Sequence, residues 1–114
     1  MVGGNLTATV QVKTLKENDI GEYIAEWVTH IDGISGWLDG ISGSSTRQSH
    51  KTKSEDSSHM FICDFDSRLR DLDTTQCRLI CRNKIYEIKY VDDPMEIHDH
   101  LEISLKLVGV VNAR

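Results

Sequence analysis

Alternating apolar and polar residues in the second half of the chain restrict it to a β fold. Because neighbouring side chains of a strand point to opposite faces, such alternation predicts strands with one buried face. Residues 59–65 place Phe61, Cys63 and Phe65 on one face. In residues 101–107 the side chains predicted to point inward are Leu101, Ile103, Leu105 and Leu107. With almost no helical periodicity elsewhere, the sequence predicts an all-β fold, a small β-barrel or sandwich of short antiparallel strands.

Residues 76–91 predict a hairpin between two runs rich in β-forming residues. The tight link is assigned to Asn83-Lys84, because asparagine tolerates the positive φ that a two-residue turn requires. Residues 66–75 are predicted to form a solvated turn and loop, and Asp92-Asp93-Pro94 to end the second strand. The residues assigned to the buried face of the hairpin are Cys77, Leu79, Cys81, Tyr86, Ile88 and Tyr90.

The first forty residues predict further strands. Residues 7–14 alternate as a strand, and residues 15–21 form a polar connection. The period of residues 22–31 is ambiguous: Ile24, Trp27, Val28 and Ile31 would share one face of a helix, and Tyr23, Ala25, Trp27 and Thr29 one face of a strand. The strand-like surroundings favour the strand. Residues 34–41, which contain Trp37 and lie among glycines, predict a bent strand.

Size and composition indicate one globular domain over residues 1–114. The net charge of −5 argues against tight nonspecific binding to nucleic acid. No segment is long and apolar enough to span a membrane, and the amino terminus lacks the apolar core of a signal peptide, so we expect no membrane association and a cytosolic origin. Three cysteines, an odd number, are expected to be free thiols that pack as small apolar residues.

Residues 42–58 form a long polar loop. None of these seventeen residues is aliphatic or aromatic, so the segment has nothing with which to join a core. Loops of this length inside compact domains are uncommon and are usually functional or disordered. Two interpretations stay open: a surface loop without a role, and a loop that orders on a partner or projects into a shared space.

Residues 92–102 carry five carboxylates and no lysine or arginine. A divalent-metal site around His98-Asp99-His100 is one hypothesis, but the spacing matches no calcium loop, and the two histidines lie side by side only on an extended chain. A solvated acidic loop, or an acidic patch that meets a basic surface on a neighbouring subunit, is favoured. No nucleophile elbow or phosphate-binding glycine loop is present, so we expect neither an enzyme nor a cofactor.

The order of these features resembles the head–tail joining family of tailed bacteriophages, the small head-closure or stopper proteins, including those of defective prophages. The resemblance covers residues 21–109. It rests on Trp27 near the end of an early strand, on Trp37 followed by Ile41-Ser42-Gly43, and on residues 57–62 after the long loop. Residues 78–88, with Tyr86-Glu87-Ile88, and the Asp92-Asp93-Pro94 bend continue it. The turn glycine usual in the family is replaced by Asn83-Lys84.

The resemblance implies a structural protein that forms a ring, typically dodecameric, below the phage portal or its adaptor. This ring would receive the tail and help to retain packaged DNA, which passes through its channel without sequence-specific binding. It would work in the virion, at the head–tail connector, after assembly in the bacterial cytoplasm. The long loop would face the channel, and the candidate residues are Gly43, Arg47, His50, Lys51 and Lys53. The alternative is a tail-completion component or another non-enzymatic β-barrel interaction module.

Two kinds of side chain predict the interface residues. Tryptophans outside a core are frequent interface anchors. The acidic segment would meet arginine and lysine side chains of a facing surface. The interface candidates are Trp27, Trp37, Arg78, Arg82, Lys84, Asp92, Asp93 and Glu96.

Overall fold

Six antiparallel strands form the fold in a computed structural model that describes residues 3–40 and 57–111. The strands are β1 (Leu6–Glu17), β2 (Tyr23–Gly40), β3 (His59–Asp64), β4 (Cys77–Cys81), β5 (Lys84–Asp92) and β6 (His100–Val110). Their order in the sheet is β1-β2-β3-β6-β5-β4. Because β1 pairs with β4 as well as with β2, the sheet returns to its first strand and closes as a barrel. The predicted all-β class is therefore confirmed, although β1 and β2 are longer than predicted.

The interior of the barrel holds the alternating residues of every strand. Phe61 and Cys63 of β3 are buried, as are Cys77, Leu79 and Cys81 of β4, which confirms the predicted faces. Burial raises the pKa of the Cys63 thiol to about 12, with smaller contributions from the carboxylates of Asp66 and Asp64. The three cysteines are unpaired and pack as apolar residues.

The hairpin between β4 and β5 is confirmed, but its turn lies one residue earlier than predicted. Cys81 pairs with Lys84, so the two central residues are Arg82 and Asn83. Both have positive φ, 57° and 65°, as a type I′ turn requires. Lys84 is already the first residue of β5. Asparagine supplies one of the two left-handed positions, and Arg82 adopts the other because the burial of Cys81 fixes the register.

The two strands predicted at residues 22–31 and 34–41 are one strand, β2. This confirms the strand interpretation over the helix but corrects the boundary between the two. The bend falls near Gly33, which has a φ of +75°, and coincides with shifts in pairing between β1 and β2. Bulges thus absorb the curvature of the barrel without breaking the strand. The predicted connection at residues 15–21 is also shorter, since β1 continues to Glu17.

Three side chains of β5 and β6 depart from strict alternation. Tyr90 was assigned to the buried face, but the pairing shifts between Ile88 and Tyr90 and the ring is exposed. Leu107 is exposed because it lies near the end of the barrel, beside a second shift. Ser104 alternates with Ile103 and Leu105 and is therefore expected to point outward, but it is buried, with Met60 and Tyr90 as its neighbours on the adjacent strands.

Residues 66–75 do more than form a solvated loop. They contain a short helix, α1 (Ser67–Arg70), followed by a 3₁₀ turn at Thr74–Gln76. Asp66 and Asp73 cap these turns by accepting hydrogen bonds from the backbone N–H groups of Arg68 and Thr75. The helix places Leu69, which is fully buried, into the core.

The barrel has two different ends. At one, here called the loop end, β2 finishes at Gly40, β3 begins at His59 and the Arg82-Asn83 turn joins β4 to β5. At the other, here called the arm end, lie α1, the bend after Asp92 and a hairpin arm formed by residues 13–27. Residues 42–56 of the long polar loop lie outside the described residues, and the chain enters and leaves them at the loop end.

Candidate interaction surfaces

The arm extends β1 and β2 beyond the barrel. β4 pairs with β1 only as far as Val12, whereas β1 and β2 stay paired as far as Glu17 and Tyr23. The turn at its tip is closed by Asn18, whose Oδ1 accepts hydrogen bonds from the N–H groups of Ile20 and Glu22. Several large apolar side chains of the arm are exposed, namely Leu15, Ile20, Tyr23 and Ile24. The molecule is consequently elongated, 51 × 28 × 27 Å.

At the base of the arm, two cations lie over Trp27. Lys13 is the partner of Trp27 across the β1–β2 ladder, and its Nζ lies 5.7 Å from the ring centroid. The guanidinium carbon of Arg78, which reaches across β1 from β4, lies 4.2 Å from the same ring. Nε of Arg78 donates a 2.8 Å hydrogen bond to Oε1 of Gln11, which fixes the orientation of the guanidinium. The predicted candidates Trp27 and Arg78 are therefore in direct contact.

Arg78 and Lys13 have no carboxylate partner within 4.0 Å among residues 3–40 and 57–111. Burial lowers the pKa of Arg78, but arginine stays charged at any physiological pH. A partly desolvated cation without a counterion gains from an added carboxylate, because it has already lost part of its hydration. The base of the arm is thus suited to bind an anionic group.

A groove of about 410 Å³ runs from Trp27 across the outer wall of the barrel. Its walls combine cations, apolar side chains and one acid: Lys13, Arg78 and Lys89, then Ile85 and Val108, then Glu87. Glu87 lies 3.6 Å from Lys89 and offsets that charge. This groove is called the Trp27 groove below. Lys13, Lys89, Ile85 and Val108 were not predicted. Lys13 reaches Trp27 across the β1–β2 ladder, and the pairing of β1 with β4 that closes the barrel brings the other three to it.

The acidic segment forms a tight structure at the arm end. Pro94–Glu96 is a 3₁₀ turn, and three residues, Met95, Glu96 and His98, have positive φ without being glycine. Asp93 holds the turn: its carboxylate accepts from the N–H of His98 at 3.1 Å and contacts Nδ1 of that ring at 2.6 Å. The His98 ring stacks on Phe65, with centroids 4.5 Å apart. Left-handed non-glycine residues are strained and concentrate at functional sites.

Residues 95–97, here called the prong, project from this turn. Met95 is 88% exposed and Ile97 is 66% exposed. Glu96, between them, is exposed and is within 4.0 Å of no cation in the described chain. The side chain of Asp93 is only 7% exposed and already engaged by His98. Of the predicted acidic candidates, Glu96 is therefore the one most available to a partner.

His100 follows the prong and lies between two carboxylates. Its Nε2 is 3.1 Å from Oε2 of Glu102 and its Nδ1 is 3.4 Å from Oδ2 of Asp99. The hydrogen bond with Glu102 raises the pKa of His100, with a smaller contribution from Asp99. Among the described residues, no group of three histidine, cysteine or carboxylate side chains could hold a metal ion.

The raised pKa of His100 predicts a pH-dependent stability. Protonation is favoured in the folded state, so the ion pairs stabilise the fold fully below the unfolded pKa near 6.5, and this contribution is lost as pH rises through the folded pKa. We expect His100→Gln to lower the free energy of unfolding by about 0.5 kcal/mol at pH 5.5 and by less at pH 8.5. Urea unfolding at both pH values measures this.

The control for that experiment is His30→Gln. His30 is exposed on β2 and has no carboxylate within ion-pair distance in residues 3–40 and 57–111. Equal pH dependence of the two variants would contradict a role of His100 in stability.

The other interface candidates are spread over the molecule. Trp37 is 46% exposed on β2, at the part that pairs with Ile62 of β3. Arg82 and Lys84 lie at the loop end, away from the prong and from Trp27. Asp92 ends β5 at the arm end. The five candidates of the long loop, Gly43, Arg47, His50, Lys51 and Lys53, lie outside the described residues.

A small closed barrel with a projecting arm, a strained acidic turn and a basic aromatic groove has the features of a structural module that works through its surfaces. The chain belongs to the phage head completion protein family, whose model matches residues 4–108. It is thus a structural component of a phage virion with a role in head closure, as the sequence resemblance implied. No curated protein matches the chain. No helix in the described residues is long and apolar enough to cross a membrane.

Proposed function

We propose that the chain closes the filled phage head as a ring of identical copies, docked on the portal or its adaptor on one side and on the tail on the other. The family match carries this proposal, because it extends from residue 4 to residue 108 and includes every strand of the barrel except the last residues of β6. Twelve copies are the number that the resemblance favours. Assembly takes place in the bacterial cytoplasm, and the finished ring is part of the virion.

The difference between the two ends of the barrel supports a ring with two distinct faces. The loop end carries the entry and exit of the long loop, and the arm end carries the arm and the prong. A ring of subunits in one orientation presents one kind of end to each side. Such a ring can bind a head component on one face and a tail component on the other.

Retention of DNA is assigned to residues 42–58. Their basic residues, Arg47, Lys51 and Lys53, can contact phosphates without reading sequence, while the net charge of −5 disfavours tight binding elsewhere. A polar loop without core-forming residues is free to project into a channel.

The isolated chain is expected to be a monomer or weak oligomer that forms a ring only on its docking partner. A ring-shaped partner supplies many weak contacts at once, so the interface between subunits can stay modest. Contacts between the acidic segment and the basic residues Arg78, Arg82 or Lys84 would weaken with added salt.

The proposal is tested by removing the gene from the parent phage. We expect heads that package DNA, then lose it, and that carry no tail, as seen by electron microscopy and by nuclease sensitivity of the DNA. Adding the purified protein to freshly filled heads should restore tail joining. Heads that keep their DNA and are completed by normal tails without the protein would refute the proposal. Stable filled heads together with unfinished tails would favour the tail-completion alternative.

A further inference from the structure

We propose that neighbouring copies join by inserting the prong of one copy, residues 95–97, into the Trp27 groove of the next. This inference rests on the proposed ring and names the two surfaces that would build it. Three observations carry it: the match in charge, the match in apolar surface, and the placement of the two surfaces on different parts of one subunit.

The charges are complementary. Glu96 at the centre of the prong has no cation within 4.0 Å among the described residues, and Arg70 acts on it only from a greater distance. Arg78 and Lys13 in the groove have no carboxylate within 4.0 Å there, although Glu87 is the cross-strand neighbour of Arg78. Arg78 is held in place by Gln11 and by the Trp27 ring, so little side-chain freedom remains to be lost when a carboxylate binds.

The apolar surfaces are complementary as well. Met95 and Ile97 flank Glu96 and are largely exposed. The groove offers Trp27, Ile85 and Val108 around its cations. An apolar–acidic–apolar prong therefore meets a basic groove lined by aromatic and aliphatic side chains. Tryptophan and arginine are the residue types that most often dominate binding energy at protein interfaces.

The prong is built to stay in one conformation. The carboxylate of Asp93 accepts a hydrogen bond from the N–H of His98, the N–H of Glu96 donates to the carbonyl oxygen of Asp93, and the His98 ring stacks on Phe65. These contacts hold Met95 and Glu96 at φ values of 57° and 54°. Because the backbone of this turn is already ordered, binding costs less conformational entropy than it would for a flexible segment.

The two surfaces do not meet within one copy: the prong projects from the turn that stacks on Phe65, and no residue of 93–100 lines the groove. The contact is consequently heterologous: each copy offers its prong to one neighbour and its groove to the other. Heterologous contacts generate closed rings when the rotation between copies closes.

The test is a charge swap in the full-length protein, measured as copies incorporated per DNA-filled head. Arg78→Glu and Glu96→Arg should each lower incorporation about tenfold or more at limiting concentration, because each leaves like charges facing one another. The double variant Arg78→Glu/Glu96→Arg should restore incorporation to near the wild-type level. Thermal unfolding of each isolated variant checks that the barrel is intact, because Glu96 is exposed but Arg78 is half-buried and contacts Gln11 and Trp27.

Lys16→Glu is the matched control, since it makes the same change of charge at an exposed residue of β1 that does not line the groove. We expect it to be incorporated as the wild type. Wild-type incorporation of both single variants, failure of the double variant to recover, or an equal loss with Lys16→Glu would each overturn the prong–groove contact and leave the head-closure proposal standing. If the wild-type chain itself fails to join filled heads, the head-closure proposal fails, and the contact that rests on it fails too.

Discussion

Replacing residues 43–55 by a short glycine–serine linker should leave the barrel folded and abolish retention of packaged DNA. The fold should survive because Gly40 and His59 are direct partners across the β2–β3 ladder, so a tight turn can join these strands without changing their register. Ser58 is kept, since its Oγ accepts a hydrogen bond from the N–H of Leu107 at 2.8 Å. The loss of retention follows from the removal of the basic residues assigned to the channel.

The measurement compares heads completed with the wild-type chain and with the variant, after incubation with nuclease. A second variant, with residues 43–55 in scrambled order, keeps length and charge and should retain DNA, because phosphate contacts do not read sequence. Full retention with the shortened loop, at normal incorporation, would remove the proposed role of this segment.

Phe61→Ala should lower the free energy of unfolding by about 3–5 kcal/mol, the usual cost of removing a buried phenylalanine. Phe61 is fully buried on β3, between Leu38 of β2 and Ile103 of β6. Its ring packs closely on Gly36, where an added Cβ would lie 2.6 Å from the ring. Gly36 has no side chain that could fill the cavity left by the Phe61 ring, so little relaxation can offset the lost stability. Because domains are stable by only about 5–15 kcal/mol, this variant should be partly unfolded at moderate temperature.

Ile62→Ala is the matched control for Phe61→Ala. Ile62 is the next residue of the same strand and is only half-buried on the outer face, so we expect a loss of about 1 kcal/mol. Urea unfolding of both variants gives the comparison. Similar losses for the two would show that the interior of the barrel does not depend on Phe61.

The sequence predicted the elements whose buried face alternates strictly. Phe61 and Cys63 of β3, and Cys77, Leu79 and Cys81 of β4, lie where period-two reasoning placed them. It failed where a bulge interrupts the period, as at Tyr90, and where a strand continues through a glycine, as at Gly33. Pattern reasoning treats both as interruptions, whereas a closing barrel uses them to curve the sheet.

The candidate surfaces were predictable only in part. Trp27 and Arg78 were each chosen for their residue type, but their contact depends on the pairing of β1 with β4, which no local pattern encodes. The sequence did not indicate that Met95 and Ile97 are exposed, because their exposure results from the positive φ values around them. Leu69 was missed because one apolar residue between charges resembles a solvated turn. Asp66 and Asp73 could have indicated the capped turns that bury it.

The arm has a consequence for the time a copy spends alone in the cell. Among the described residues, Lys13–Glu17 of β1 pairs only with β2, so its other edge offers free backbone groups on which a foreign strand could grow. Charged side chains interrupt the apolar surface along this edge and on the facing strand: Lys13, Lys16, Glu17 and Glu26. Charges of this kind discourage amyloid-like stacking. In the proposed assembly, in which single subunits precede the ring, these charges protect the free subunit against aggregation. Neutralising the four residues is expected to increase aggregation of the isolated protein while the barrel stays folded.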